Sequence, residues 1–215
     1  MSDLKSILIV VSALRSGLVG GIFFAFSNFV MKALARVPPT QGVAAMQSIN
    51  VVVLNRWFFA VFFGTALCCL ALAITSFVRW QKSGAGFLLV GSLLYLIGTI
   101  LVTIACNVPL NEALAGVDPS SADSGPVWSN YLKNWTAWNH VRTVAALAAA
   151  ALFIVGLYRA VSPFDFARPK ASSLAMSTIS AHKPEDWPRQ FVELFCAGNP
   201  TAAGRLIMGD PNGRE

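Results

Sequence analysis

Long apolar runs separated by short polar clusters set the pattern of this chain. The runs are roughly Ile7–Met31, Trp57–Val78, Phe87–Cys106 and Val141–Tyr158, and each carries almost no charge. Each approaches the ~20 residues a helix needs to cross a bilayer core of about 30 Å. The pattern predicts an all-α fold, a four-helix transmembrane bundle over residues 1–160. Pro38-Pro39-Thr40 ends the first helix, and Thr40 can cap a short segment, Gln41–Leu54. Within it Val43, Met46, Gln47 and Asn50 recur at helical spacing, so a short interfacial helix is expected between spans 1 and 2.

Small residues give the spans their packing faces. Gly17 and Gly21 stand four apart in span 1, Gly84, Gly91 and Gly98 recur every seven residues in span 3, and Ala145–Ala151 serves span 4. After Tyr158 the character changes: residues 161–181, with Ser162-Pro163 and Arg168-Pro169-Lys170, read as a linker. Residues 182–215 have the composition of a short soluble C-terminal tail. Trp187, Phe191, Leu194, Phe195, Ala197-Gly198-Asn199 and Leu206 resemble the opening helix of a ketosteroid-isomerase-like or polyketide-cyclase-like domain; about thirty residues match, which reads either as a truncated extension of that kind or as a solvated tail with one amphipathic helix.

Antiparallel threading brings four helix ends to one side, and the polar residues collect there. They are Asn28 after Ser27, Asn55-Arg56, Asn107-Val108-Pro109-Leu110-Asn111, and Trp135 through Arg142. Trp135, Trp138, Asn139 and Arg142 fall at i, i+3, i+4 and i+7, on one helical face. Amides and a guanidinium near lipid are costly unless paired or wetted, which makes Asn107, Asn111, Asn139 and Arg142 site candidates. Each has a plainer reading beside it. Trp marks membrane interfaces, Asn caps helix ends, and Arg142 can bind a lipid phosphate.

Composition agrees with the membrane reading: 55% of residues are hydrophobic and only 12% charged. The net charge of +6 reflects missing carboxylates, since no acid lies between Asp3 and Glu112. Lys and Arg form no run and no aromatic-interleaved platform, so nucleic acid is not an expected partner; membrane lipids are. Lys5, Arg79, Lys82, Arg159, Arg168 and Lys170 on one side, against five cations on the other, place both termini in the cytoplasm, at a bacterial inner membrane. Arg15 interrupts span 1 and either snorkels to an interface or faces the bundle interior.

Absences narrow the chemistry. The only histidines are His140 and His182, too few for a haem held between two bundle histidines. No Glu-x-x-His pair supports a carboxylate di-iron centre, and Cys68, Cys69, Cys106 and Cys196 show no C-x-x-C spacing. Nucleotide-binding fingerprints are missing, and no metal or cofactor is expected. A transporter fits poorly, because the spans lack paired ionisable residues and broken halves.

Four of these segments together resemble the anthrone oxygenase family. They are Gly21-Ile22-Phe23-Phe24-Ala25-Phe26-Ser27, Met46-Gln47-Ser48-Ile49-Asn50, Asn107-Val108-Pro109-Leu110-Asn111 and Trp135-Thr136-Ala137-Trp138-Asn139-His140-Val141-Arg142, and the likeness covers roughly residues 5–160. Its bacterial members are mostly catalogued as a domain of unknown function. The resemblance implies a four-span membrane protein and, for the fungal members, oxidation of an anthrone to an anthraquinone by O₂ without metal or flavin. Such chemistry needs a base and donors for a developing oxyanion. His140 would be the base, with Arg142 and Asn139 beside it as catalytic groups. Asn107, Asn111, Asn55 and Asn28 would bind a lipophilic substrate whose planar ring Trp135 and Trp138 flank. The rival expectation is a non-enzymatic four-span protein that binds a lipid or membrane partner through the same polar end.

Overall fold

The computed structural model describes residues 3–161. It contains helices α1 (Asp3–Leu34), α2 (Pro39–Val52), α3 (Arg56–Val78), α4 (Ala85–Ala115) and α5 (Ser124–Val161). All but α2 are long and apolar enough to cross a membrane. Most of the expected linker and all of residues 182–215 lie outside the described residues.

The helices run well past the apolar runs that announce them. Hydropathy marks where lipid ends, whereas backbone hydrogen bonding continues as long as an amphipathic face has something to pack against. Thus α5 begins at Ser124 rather than near Val141, and its 38 residues make a rod of about 57 Å. That is nearly twice the apolar thickness of a bilayer. One end of the bundle is level: Ser83 Oγ donates to the Arg159 carbonyl at 3.0 Å, and Gly84 begins α4 against the Gly156 backbone. Gly84 has φ +82°, a left-handed conformation in which a side chain would be strained. The surplus length of α5 therefore projects at the other end, the cap end.

There α2 packs against α5 and the end of α4. It starts at Pro39, in the first helical turn, with Pro38 rather than Thr40 at the cap position; no side chain caps it. Gln47 Nε2 donates to the carbonyls of Leu114 and Val117, both at 2.9 Å, and so satisfies the open C-terminus of α4. Met31, Val43, Met46, Leu114 and Trp128 form a second core beneath α2. Trp128, Tyr131 and Trp135 stack in a column, with centroids 5.7 and 5.9 Å apart. Trp128 lies so close over Gly42 that a β-carbon there would come within 2.7 Å of the indole.

Between the spans, α1 packs on α5 and α3, α3 on α4, and α4 on α5, closing a four-helix ring. Ile9, Val19, Phe62, Leu72, Leu88 and Phe153 fill its centre. The glycine stripe of α4 packs along α5: Gly91 against Phe153 and Gly98 against the Ala145 methyl. On α1 the close approach is at Gly20, where a β-carbon would strike Leu147; at Gly17 and Gly21, the pair expected from sequence, it would meet nothing within 4 Å. Leu14, Leu67, Phe77, Ile97 and Ile154 are each more than half exposed, an apolar belt suited to lipid. Polar groups are buried in the core too: Ser12, Thr65 and Ser92 donate to carbonyls one turn back, and the Tyr95 hydroxyl donates to the Phe62 carbonyl at 3.1 Å.

Candidate functional site

Three stretches are π-helical: Phe26–Val30 in α1 and Thr103–Asn107 in α4 toward the cap, and Leu94–Leu101 of α4 within the bundle. Such wide turns shift the phase of a helix and cluster at functional sites. Here they carry the buried Ser27, Thr99 and Asn107. Opposite them, one face of α5 buries Trp135, Asn139 and Arg142.

Asn139 ties these elements together. Its Nδ2 donates to the Phe23 carbonyl and to Ser27 Oγ, both at 2.7 Å, while its Oδ1 accepts from Arg142 Nη2 at 2.6 Å. Thr143 Oγ1, one turn further, donates to the Asn139 carbonyl and lies 3.3 Å from Ser27 Oγ. Arg142 Nη1 reaches Thr103 Oγ1 at 3.3 Å. The guanidinium carbon stands 4.3 Å from the centre of the Phe23 ring and 5.1 Å from that of Trp135, a cation sandwiched by aromatic faces.

Arg142 is 4% exposed, yet its protein partners are neutral. The acids among the described residues are Asp3, Glu112, Asp118 and Asp123, and all four are exposed. Arg142 Nε has no hydrogen-bond partner there, nor have Asn107 Oδ1 and Trp135 Nε1. A buried cation without a counter-ion is costly to fold around and marks a group held for something else.

Arg142 faces a cavity of about 120 Å³ between α1, α2, α3, α4 and α5. Its walls are largely apolar: Phe26, Met46, Ile49, Phe58, Phe62 and Trp135. Its polar points are Arg142, Thr103, Asn50 and Asn111. The space is partly open, with the exposed Leu54 and Val108 on its rim. At the far end Tyr131 bridges the two asparagines, donating to Asn111 Oδ1 at 2.8 Å and accepting from Asn50 Nδ2 at 3.5 Å.

The structure therefore brings Asn107, Asn111, Trp135, Asn139 and Arg142 to one place. Asn107 donates to the Trp135 carbonyl at 3.2 Å, which fixes α4 to α5 beside the cavity. The other candidates stand apart. His140 is exposed on the outer face of α5, one residue round from Asn139, and does not line the cavity. Trp138 is 41% exposed and flanks nothing; Asn28 is exposed beside the buried Ser27. Asn55 is exposed too, and its Oδ1 accepts from the amides of Trp57 and Phe58 as the N-cap of α3.

Asn50, Thr103 and Tyr131 belong to the site without having been read as such from the sequence. Their signals were present: Thr103, Asn107 and Asn111 stand four apart along α4, and Tyr131 precedes Trp135 by one turn. Arg15 lies at the α1–α3 seam, its Nη1 3.0 Å from where a β-carbon on Gly64 would be. It is partly buried and is not among the residues of this cavity. Among the described residues, no group of three His, Cys, Asp or Glu side chains is placed to hold a metal.

Together these features define a four-span helical membrane protein with a capped cavity and a buried cation at one end. A family model described as anthrone oxygenase matches residues 56–152, from the head of α3 into the membrane half of α5. The matched stretch, which is similar to that family, includes Thr103, Asn107, Asn111, Trp135, Asn139 and Arg142. No curated protein and no solved structure matches the chain.

Proposed function

We propose that the cavity binds the anionic form of a lipophilic enolisable aromatic and presents it to O₂, in the manner of an anthrone oxygenase. The observation that carries this reading is the buried, acid-free guanidinium of Arg142 facing an aromatic-walled space. An anthrone that loses a proton from its ring CH₂ becomes an enolate, with charge on its oxygen. Arg142 stabilises that oxygen more strongly than the neutral ketone, which lowers the cost of ionisation. The electron-rich carbon reduces O₂ and forms a C–O bond; the resulting peroxide loses water and leaves a second carbonyl. The sum is CH₂ plus O₂ giving C=O plus H₂O, with no outside reductant. Asn139 is a positioning residue, holding Arg142 from behind, and Trp135 supplies the wall of the ring pocket.

One observation favours a second reading, anion binding without turnover: no described carboxylate or imidazole lines the cavity to take the proton. In the catalytic reading the proton leaves to solvent at the rim. The test is quinone formation from an anthrone under O₂ by purified protein in lipid nanodiscs. The rate should exceed the spontaneous one and the excess should vanish in Arg142→Gln. Equal rates for wild type, variant and empty nanodiscs would overturn catalysis; saturable binding with no excess rate would leave the binding reading.

A further inference from the structure

We infer that the ligand of this cavity is bipolar, carrying a second hydrogen-bonding oxygen at the end opposite its oxyanion. The inference rests on the proposed role of Arg142 and adds a substrate requirement to it. Thr103 and Asn111 both line the cavity and stand eight residues apart on α4. That separation is about two turns of the helix. The cavity thus has a deep polar end, where Arg142 meets Thr103, and an outer polar end at Asn111 and Asn50. Apolar groups alone lie between them, chiefly Phe26, Ile49, Phe58 and Trp135.

The outer end is equipped for a hydroxyl. Tyr131 occupies Asn111 Oδ1 and draws on Asn50 Nδ2, which fixes both amides in orientation. Asn111 Nδ2 then keeps its hydrogens, and Asn50 Oδ1 its lone pairs, without a protein partner among the described residues. One donor and one acceptor side by side match an alcohol or phenol, which offers both. Polar ends parted by aromatic walls suit a fused aromatic skeleton substituted at opposite ends. A ligand with oxygen at one end only would desolvate the asparagines without replacing their water.

The experiment compares 2-naphthol with 2,6-dihydroxynaphthalene, by fluorescence titration of the full chain in nanodiscs above the naphthol pKa. Wild type should bind the diol about tenfold tighter than the mono-ol, the gain of one buried hydrogen-bonded hydroxyl. In Asn111→Leu and, separately, Asn50→Leu that ratio should fall to about one. Asn50→Leu loses only a 3.5 Å bond of the protein's own, which guards against reading misfolding as lost recognition. A ratio near one in wild type, with both ligands lost in Arg142→Gln, would overturn bipolar recognition and leave the oxyanion site standing. A tenfold ratio that both asparagine variants retain would also overturn it. Binding of both ligands that Arg142→Gln does not weaken would remove the oxyanion site itself and the inference with it.

Discussion

Replacing Arg142 by glutamine separates a cation kept for a ligand from one that holds the helices together. Burying an ion costs several kcal/mol even after local relaxation. Against this, the 2.6 Å bond to Asn139 contributes about 2 kcal/mol and the long contact with Thr103 less than 1. The aromatic face of Phe23 at 4.3 Å adds about 1 kcal/mol. With no acid to join, the guanidinium returns about what it costs. Arg142→Gln, neutral and still able to donate toward Asn139, should therefore leave stability within about 1 kcal/mol of wild type or slightly raise it. For a domain of this size that is a Tm shift of no more than ~4 °C. Tryptophan fluorescence during heating in detergent measures it. The same melt with a saturating naphthol at a hundred times Kd should gain about 2.7 kcal/mol in wild type and nothing in the variant. Were Arg142 a structural anchor, its loss would cost about 3–5 kcal/mol, as for a broken buried pair. A fall in Tm of more than ~10 °C would refute the reasoning.

Asn139→Leu removes two hydrogen bonds that join α5 to α1 and the acceptor that holds Arg142, and it should cost about 2–4 kcal/mol in the same melt, with ligand binding lost as Arg142 swings free. Gly84→Ala places a methyl in a left-handed position against the Gly156 carbonyl; expect a loss of at least ~2 kcal/mol, and poor recovery of folded protein on gel filtration. Asn55→Ala should lower stability by about 1 kcal/mol through the lost cap of α3, while Asn55→Asp preserves it and neither changes naphthol affinity by more than about twofold. His140→Gln should leave quinone formation within about twofold of wild type at every pH tested, because the imidazole faces away from the cavity; a tenfold fall would restore it as the base.

The number of spans and their order were legible because lipid demands long uninterrupted apolar runs, a signal that few other structures produce. Threading alone also brings the Asn107 and Arg142 neighbourhoods to one end, and the contacts of Thr103 with Arg142 and of Asn107 with Trp135 realise that convergence. Facing was harder to read. Asn139 and His140 are adjacent and both polar, yet a 100° step turns one inward and the other out, and composition does not choose between them. Trp138 shares a nominal face with Trp135 and Arg142, but a face is wider than a contact. Asn50 was hidden by a pattern that reads equally as an interfacial helix, until α2 was seen packed on α4 and α5. The projecting half of α5 had no hydropathy signal at all.

The wide turns of α4 carry one more implication. Each leaves a residue surplus to ordinary winding, so the membrane half and the cap half of that rod are deliberately out of step. Excising a single amino acid between Leu94 and Leu101 would restore ordinary winding with little rotation of what lies beyond, whereas excising one from the ordinary turns of Ala85–Leu93 would swing that segment by about 100°. The asparagines would then sweep toward lipid although no residue touching the ligand had been altered. Sequence length inside this helix is thus as much a determinant of the pocket as the side chains that line it.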